Sequence, residues 1–206
     1  MKKLIMIAAM MVATLSANAQ FEAGSFTLQP KVGMNLSKIT ADDTKYKAGL
    51  AAGFEGQYQI NNWFALSAGV MYQQKGSKFK SSAYINTDKL KLNMEYIDIP
   101  VMAKFYVAKG LSLNAGLQPG FLTKAKSDWD GEETDIKDSF EKFNFEVPIS
   151  IAYEFPMGLV IEARYSFGAT DVGKNVEYEK GTSDWKKAYQ NKNEVFQLTV
   201  GYKFEL

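Results

Sequence analysis

Histidine and cysteine are both absent from the 206 residues, and arginine occurs once, as Arg164. Without histidine there is no Ser-His-Asp or Cys-His nucleophilic site. Without either residue there is no ordinary zinc site. The lack of cysteine also leaves an exported chain with no disulfide to brace it and no thiol to carry a lipid. Carboxylate pairs remain available for glycoside chemistry, yet none stands apart from ordinary strand or loop carboxylates. The composition points away from an enzyme and away from any metal or cofactor.

An excess of charge is missing too. Twenty-four basic residues face twenty-three acidic ones, for a net charge of +1. No basic stripe suggests nucleic acid as a partner, and no run of like charge suggests a solvated tail. The length fits one domain. A spanning apolar run is the third absence. Leu4 to Leu15 is mostly apolar, but a membrane helix needs about 20 such residues. Lys2 and Lys3 precede that run and Ala17-Asn18-Ala19 follows it. This is the layout of a secretory signal with an A-x-A cleavage site. We expect residues 1–19 to be removed and residues 20–206 to form the domain. An exported chain with no apolar helix enters a membrane only as a closed barrel, because nothing else satisfies its backbone in lipid.

What is present is alternation. Eight segments set apolar residues against polar ones with the period of a β-strand. Phe26, Leu28, Val32, Met34 and Leu36 begin the series, and Phe196, Leu198, Val200, Tyr202, Phe204 and Leu206 end it. In the fourth segment Ile97 to Val107 alternate on one parity, while Leu90, Leu92, Met94 and Tyr96 sit on the other. A β-bulge near Tyr96 is the expected cause. The links after the second, fourth and sixth segments are short: Asn61-Asn62, 108–110 and 156–158. Those near 37–47, 76–89, 124–141 and 170–193 are long and polar. Short turns at one end and long loops at the other are the layout of a bacterial outer-membrane barrel, with the longer loops outside. The expected fold is an all-β, eight-stranded, antiparallel up-and-down transmembrane barrel. A lipocalin-like ligand barrel shares the alternation. The aromatic residues near the ends of the apolar face, with Trp63 beside the first short turn, favour contact with outer-membrane lipid.

Several stretches carry a resemblance. Lys31-Val-Gly-Met-Asn-Leu-Ser37, Glu95-Tyr-Ile-Asp-Ile-Pro-Val101, Leu113-Asn-Ala-Gly-Leu-Gln118, Ala163-Arg-Tyr-Ser-Phe-Gly168 and Val200-Gly-Tyr-Lys-Phe204 are similar to segments of the PorT-like outer-membrane barrels of Bacteroidetes. Those barrels are in turn distant relatives of the small OmpX and OmpA barrels. The resemblance spans nearly the whole expected domain. It implies insertion in the cell outer membrane and no defined activity. It also implies that the last strand, with Tyr202, Phe204 and Leu206, is the signal read by the barrel-assembly machinery.

The candidate site is the polar face. Lys31, Glu55, Asp98, Lys104, Glu146, Glu162 and Arg164 all point inward on this reading. The planar fork of Arg164 suits a bidentate carboxylate. Eight strands leave a lumen barely wide enough for side chains, so a paired charge network filling it is one expectation and a narrow ion path the other. In the segment Asp128–Asp135, aligning Gly131 with the glycine of a calcium loop leaves Lys126 and Lys137 where carboxylates are required. No metal is expected there. Trp129, Tyr178, Trp185 and Tyr189 fall in expected outer loops, where exposed aromatics fit an extracellular protein or glycan ligand. Resting on the barrel rim is the alternative for them. The function expected is recognition or envelope integrity through those loops. A small channel and a part in a secretion or assembly apparatus stand as alternatives.

Overall fold

A computed structural model describes residues 22–41, 44–79, 90–173 and 191–206. The barrel strands are β1 (Phe26–Ile39), β2 (Thr44–Asn61), β3 (Phe64–Phe79), β4 (Leu90–Asp98) with β5 (Val101–Ala108), β6 (Leu111–Trp129), β8 (Phe143–Glu154), β9 (Leu159–Gly168), and β10 (Asn193–Tyr202) with β11 (Phe204–Glu205). Between β6 and β8 lie a short strand β7 (Glu132–Asp135) and one 3₁₀ turn (Lys137–Ser139). Each barrel strand pairs antiparallel with its neighbours, and β10 returns to β1 from Lys31 opposite Gly201 to Ile39 opposite Asn193. The ring of eight closes, which leaves no sheet edge for lipid to meet.

Three of the breaks have local causes. Pro100 has no N–H to give to a ladder, and the strand divides there into β4 and β5. Gly110 (φ 72°) and Gly158 (φ 89°) take left-handed conformations in two short turns, which suit a residue with no Cβ.

The sidedness separates a membrane barrel from a soluble one. Outward residues include Met34 (61% exposed), Phe54 (53%), Leu117 (53%) and Ile149 (47%), with apolar neighbours on every strand. A soluble protein does not show water an apolar band of that extent. Aromatics gather at both rims of the band. Trp63, Phe64 and Phe105 cluster at the periplasmic rim with centroids 5.0–6.3 Å apart. At the outer rim Phe121 meets Phe143 and Tyr165 meets Phe167.

Three expectations need correction. The strands run on into segments read as loops, so that β1 reaches Ile39, β2 begins at Thr44 and β3 reaches Phe79. Beyond the membrane the outward face meets water instead of lipid, and pairing continues after the apolar alternation has stopped. Trp129 therefore ends β6, opposite Glu132 and Leu90, rather than lying in a loop. The fourth strand keeps one parity throughout. Leu92, Met94, Tyr96 and Asp98 all point inward, and the register shift opposite Glu95 and Tyr96 belongs to β6, where Thr123 is the extra residue.

That inward apolar run has its own partners. Ile39, Leu92, Met94, Tyr96, Leu122, Ala125 and Val172 form a buried cluster, with Phe79, Ile136 and Phe140 packed against it. The outer end of the lumen is thus an apolar core, while the rest of the interior is polar.

Candidate functional site

The lumen is built by strand parity. Inward positions of β1, β2, β3, β4, β5, β8, β9 and the β10–β11 junction supply ten buried charged groups among the described residues. Five are cations (Lys31, Lys75, Lys104, Arg164, Lys203) and five are anions (Glu55, Asp98, Glu146, Glu154, Glu162). Charges removed from water must be paired, and a balanced set allows every one to be.

The pairing runs along the barrel axis. At the periplasmic end Lys203 meets Glu154, which also accepts a hydrogen bond from the Tyr106 hydroxyl at 2.8 Å. The Gln57 amide donates to that hydroxyl at 2.8 Å, while its oxygen accepts from Lys104 and Lys203, each at 3.0 Å. Lys104 also meets Glu55. Glu55 takes Lys31 at 2.6 Å, and Lys31 reaches Glu162 at 3.2 Å.

Arg164 joins the middle of the chain to its outer part. Its Nε and Nη2 both donate to Glu162 Oε1, at 3.0 and 2.8 Å. The fork thus closes on one oxygen rather than on two. Nη2 also lies 3.6 Å from Glu55, and Nη1 donates to Gln118 at 3.4 Å. Gln118 donates in turn to Asp98 at 3.2 Å and to Glu146 at 2.8 Å. Lys75 bridges those two carboxylates at 2.7 Å each. Its ammonium lies 4.9 Å from the ring centroid of Tyr96, a cation–π contact that joins the polar network to the apolar cluster.

All seven residues singled out from sequence lie in this one network: Lys31, Glu55, Asp98, Lys104, Glu146, Glu162 and Arg164. Alternation also puts Glu154, Lys203, Gln57, Tyr106 and Gln118 on the polar face without singling them out for the network, and it leaves Lys75 unplaced. Lys75 shares the parity of Ser67 and Gln73 on β3, which was the available signal. Glu154 and Lys203 stand on the polar parity at strand ends.

The outer candidates are less concentrated. Trp129 is 48% exposed at the end of β6. Tyr178, Trp185 and Tyr189 lie outside the described residues. Within Asp128–Asp135, Asp130 (φ 54°) and Gly131 (φ 95°) form a two-residue hairpin turn, the Asp-Gly signature of a type I′ turn. Asp128 accepts the Gly131 N–H at 3.1 Å and pairs with Lys91 at 3.6 Å. Tyr202 and Phe204 stack in a tilted pair on the outward face of the last strand, and Leu206 donates its backbone N–H to Phe26.

Such a barrel, with lipid-facing aromatics and a charged interior, is an outer-membrane architecture. Residues 18–173 match the family described as the outer membrane protein beta-barrel domain. The chain belongs to that family. Solved structures agree at the level of fold. Neisserial surface protein A is 14% identical, with 87% of this chain and 97% of that one covered and a TM-score of 0.54. Ail, the attachment invasion locus protein of Yersinia pestis, solved in complex with the heparin analogue sucrose octasulfate, is 18% identical, with 88% and 99% covered and a TM-score of 0.50. No curated protein matches the chain by sequence.

Proposed function

We propose that this outer-membrane barrel is not a conduit and not an enzyme, and that it acts through its extracellular end in recognition or envelope integrity. One observation carries the reading: the buried charges of the lumen are balanced and interlinked from Lys203 to Lys75, and an apolar cluster covers their outer end. A conducting lumen needs sites that an ion can enter and leave. Here the cationic and anionic partners hold each other. The exposed Trp129 at the rim is one surface that fits an extracellular protein or glycan. The tract at 1–19 completes the picture as a cleaved signal peptide, and the terminal strand with Tyr202, Phe204 and Leu206 as the contact for the assembly machinery. The PorT-like stretches favour a second reading, a part in a secretion or assembly apparatus, which cross-linking in intact cells would detect as a fixed envelope partner.

Single-channel recording tests the main reading. The refolded protein, inserted in a planar bilayer and verified there by protease protection, is expected to give no stable openings. Stable openings of the unaltered protein would overturn the reading in favour of a small porin-like channel.

A further inference from the structure

The outward wall of β2, β3, β4 and β6 changes character within one step of the apolar band. Tyr72, Ile97 and Phe121 lie side by side across three strands. The next outward row is Gln74, Glu95 and Lys124, and the one beyond it is Gly76, Asn93 and Lys126. The bulge at Thr123 makes this row basic. Leu122 and Ala125 both point inward, and the two residues between them both point out. A regular strand would have turned Lys124 into the lumen; the extra residue re-aims it. Gly76 contributes no side chain, and the Lys47 stem passes beside it. Lys47, Gln74, Asn93, Glu95, Lys124 and Lys126 line a groove of about 250 Å³, which Met94 and Glu133 of β7 complete.

The groove has more cations than anions. Lys47, Lys124 and Lys126 share it with Glu95 and Glu133. Lys124 lies 3.3 Å from Glu95 and remains 63% exposed. Lys126 lies 2.6 Å from Glu133 and remains 43% exposed. Among the described residues, Lys47 gives its ammonium to the Lys75 carbonyl, at 3.3 Å. Partial burial and then the nearby Lys78 hold the Lys47 pKa below its usual value, against the opposing pull of Glu95. An anion seated beside Lys47 would supply the compensation that Lys124 and Lys126 already draw from Glu95 and Glu133. At a similar height on β1 and β10, Lys38 and Glu194 compensate each other at 3.0 Å.

We propose that this groove binds the phosphorylated headgroup of an outer-leaflet lipid, with the acyl chains lying on the apolar wall beneath it. Continuity selects that occupant. Gln74 donates to the Tyr72 hydroxyl at 3.2 Å, so the groove opens directly onto the aromatic rim. An occupant that fills the groove meets lipid-facing wall at once. A soluble anion would gain nothing from that wall, whereas a lipid gains from both.

The test uses the full refolded barrel in phosphatidylcholine nanodiscs carrying a small fraction of bisphosphorylated lipid A, dephosphorylated lipid A or neither. Retained lipid is read by native mass spectrometry. The bisphosphorylated lipid should be retained over the dephosphorylated one. A lysine near an anionic surface contributes about fivefold in affinity. Two of the three are already paired, so the K47Q/K124Q/K126Q variant should lose about tenfold or more. Lys109→Gln, at the opposite end of the barrel, should retain the lipid unchanged. Lys124→Glu alone alters one exposed side chain and should weaken retention in the same direction, so the triple variant's folding does not decide the matter. Equal retention by all variants would overturn the proposal. So would equal retention of the dephosphorylated lipid, which would reduce the contact to acyl chains. Displacement by millimolar inorganic phosphate would overturn it as well, in favour of a small-anion site.

Discussion

Glu55 takes Lys31 and Lys104 as ion-pair partners and lies 3.6 Å from Arg164, so one carboxylate answers to three cations. Removing it leaves charge stranded in the lumen, and breaking a buried pair from one side typically costs about 3–5 kcal/mol. Glu55→Ala is expected to lower stability by about that amount. Glu55→Gln keeps the shape and an acceptor, so it should cost less. Urea unfolding from lipid vesicles measures both, and equal stability of Glu55→Ala and the unaltered protein would show that water already reaches these groups. The inward charges at positions 31, 55, 98, 104, 146, 162 and 164 were legible because each faces an apolar neighbour that fixes its parity. Lys75 was not, because the outward residues beside it, Gln74 and Gly76, are themselves polar or absent as side chains. The signal that marks a lumen residue is borrowed from the lipid, and it fades where the lipid ends.

The same limit explains the elements. Eight strands, their order and their short turns could be read from alternation, since below the outer rim each strand has lipid on one side and polar lumen on the other. Leu92, Met94 and Tyr96 break that rule by using apolar residues inside, where an extracellular core replaces the polar lumen. Read as lipid-facing, they imply a bulge in their own strand; the bulge is in fact on the partner, at Thr123. Its placement makes an unusual prediction for β6. Deleting Thr123 restores strict alternation with Leu122 and Ala125 still inward and Lys124 still outward. Stability should then change by no more than about 0.5 kcal/mol, in the range of surface changes. Deleting Leu117 instead turns Gln118 toward lipid and Phe121 toward the lumen, because one residue of slip reverses a strand's faces. That variant should fail to give the compact band of a folded barrel on unheated gels. Similar behaviour of the two deletions would mean that β6 tolerates slip and that parity does not hold this wall.

At the scale of the whole barrel, the proposed closed lumen has two obstructions in series: a charge network over most of its length and an apolar cluster at the outer mouth. Obstructions in series must both be removed before current flows, so single lesions should stay silent. Arg164→Ser empties part of the network but leaves Met94 and Tyr96 in place above it, while Met94→Ala with Tyr96→Ala opens the mouth over intact ion pairs. Neither is expected to conduct; their combination is. The current that appears should also have a sign. With Arg164 gone, the five buried carboxylates face four cations, so the passage should favour cations. Replacing Glu162 by Ser in the open-mouthed background inverts the balance and should favour anions. Reversal potentials in a salt gradient read that sign directly. Conduction by Arg164→Ser alone would show that the apolar cluster is no barrier, and identical selectivity in the two combined variants would place the ion path outside the network.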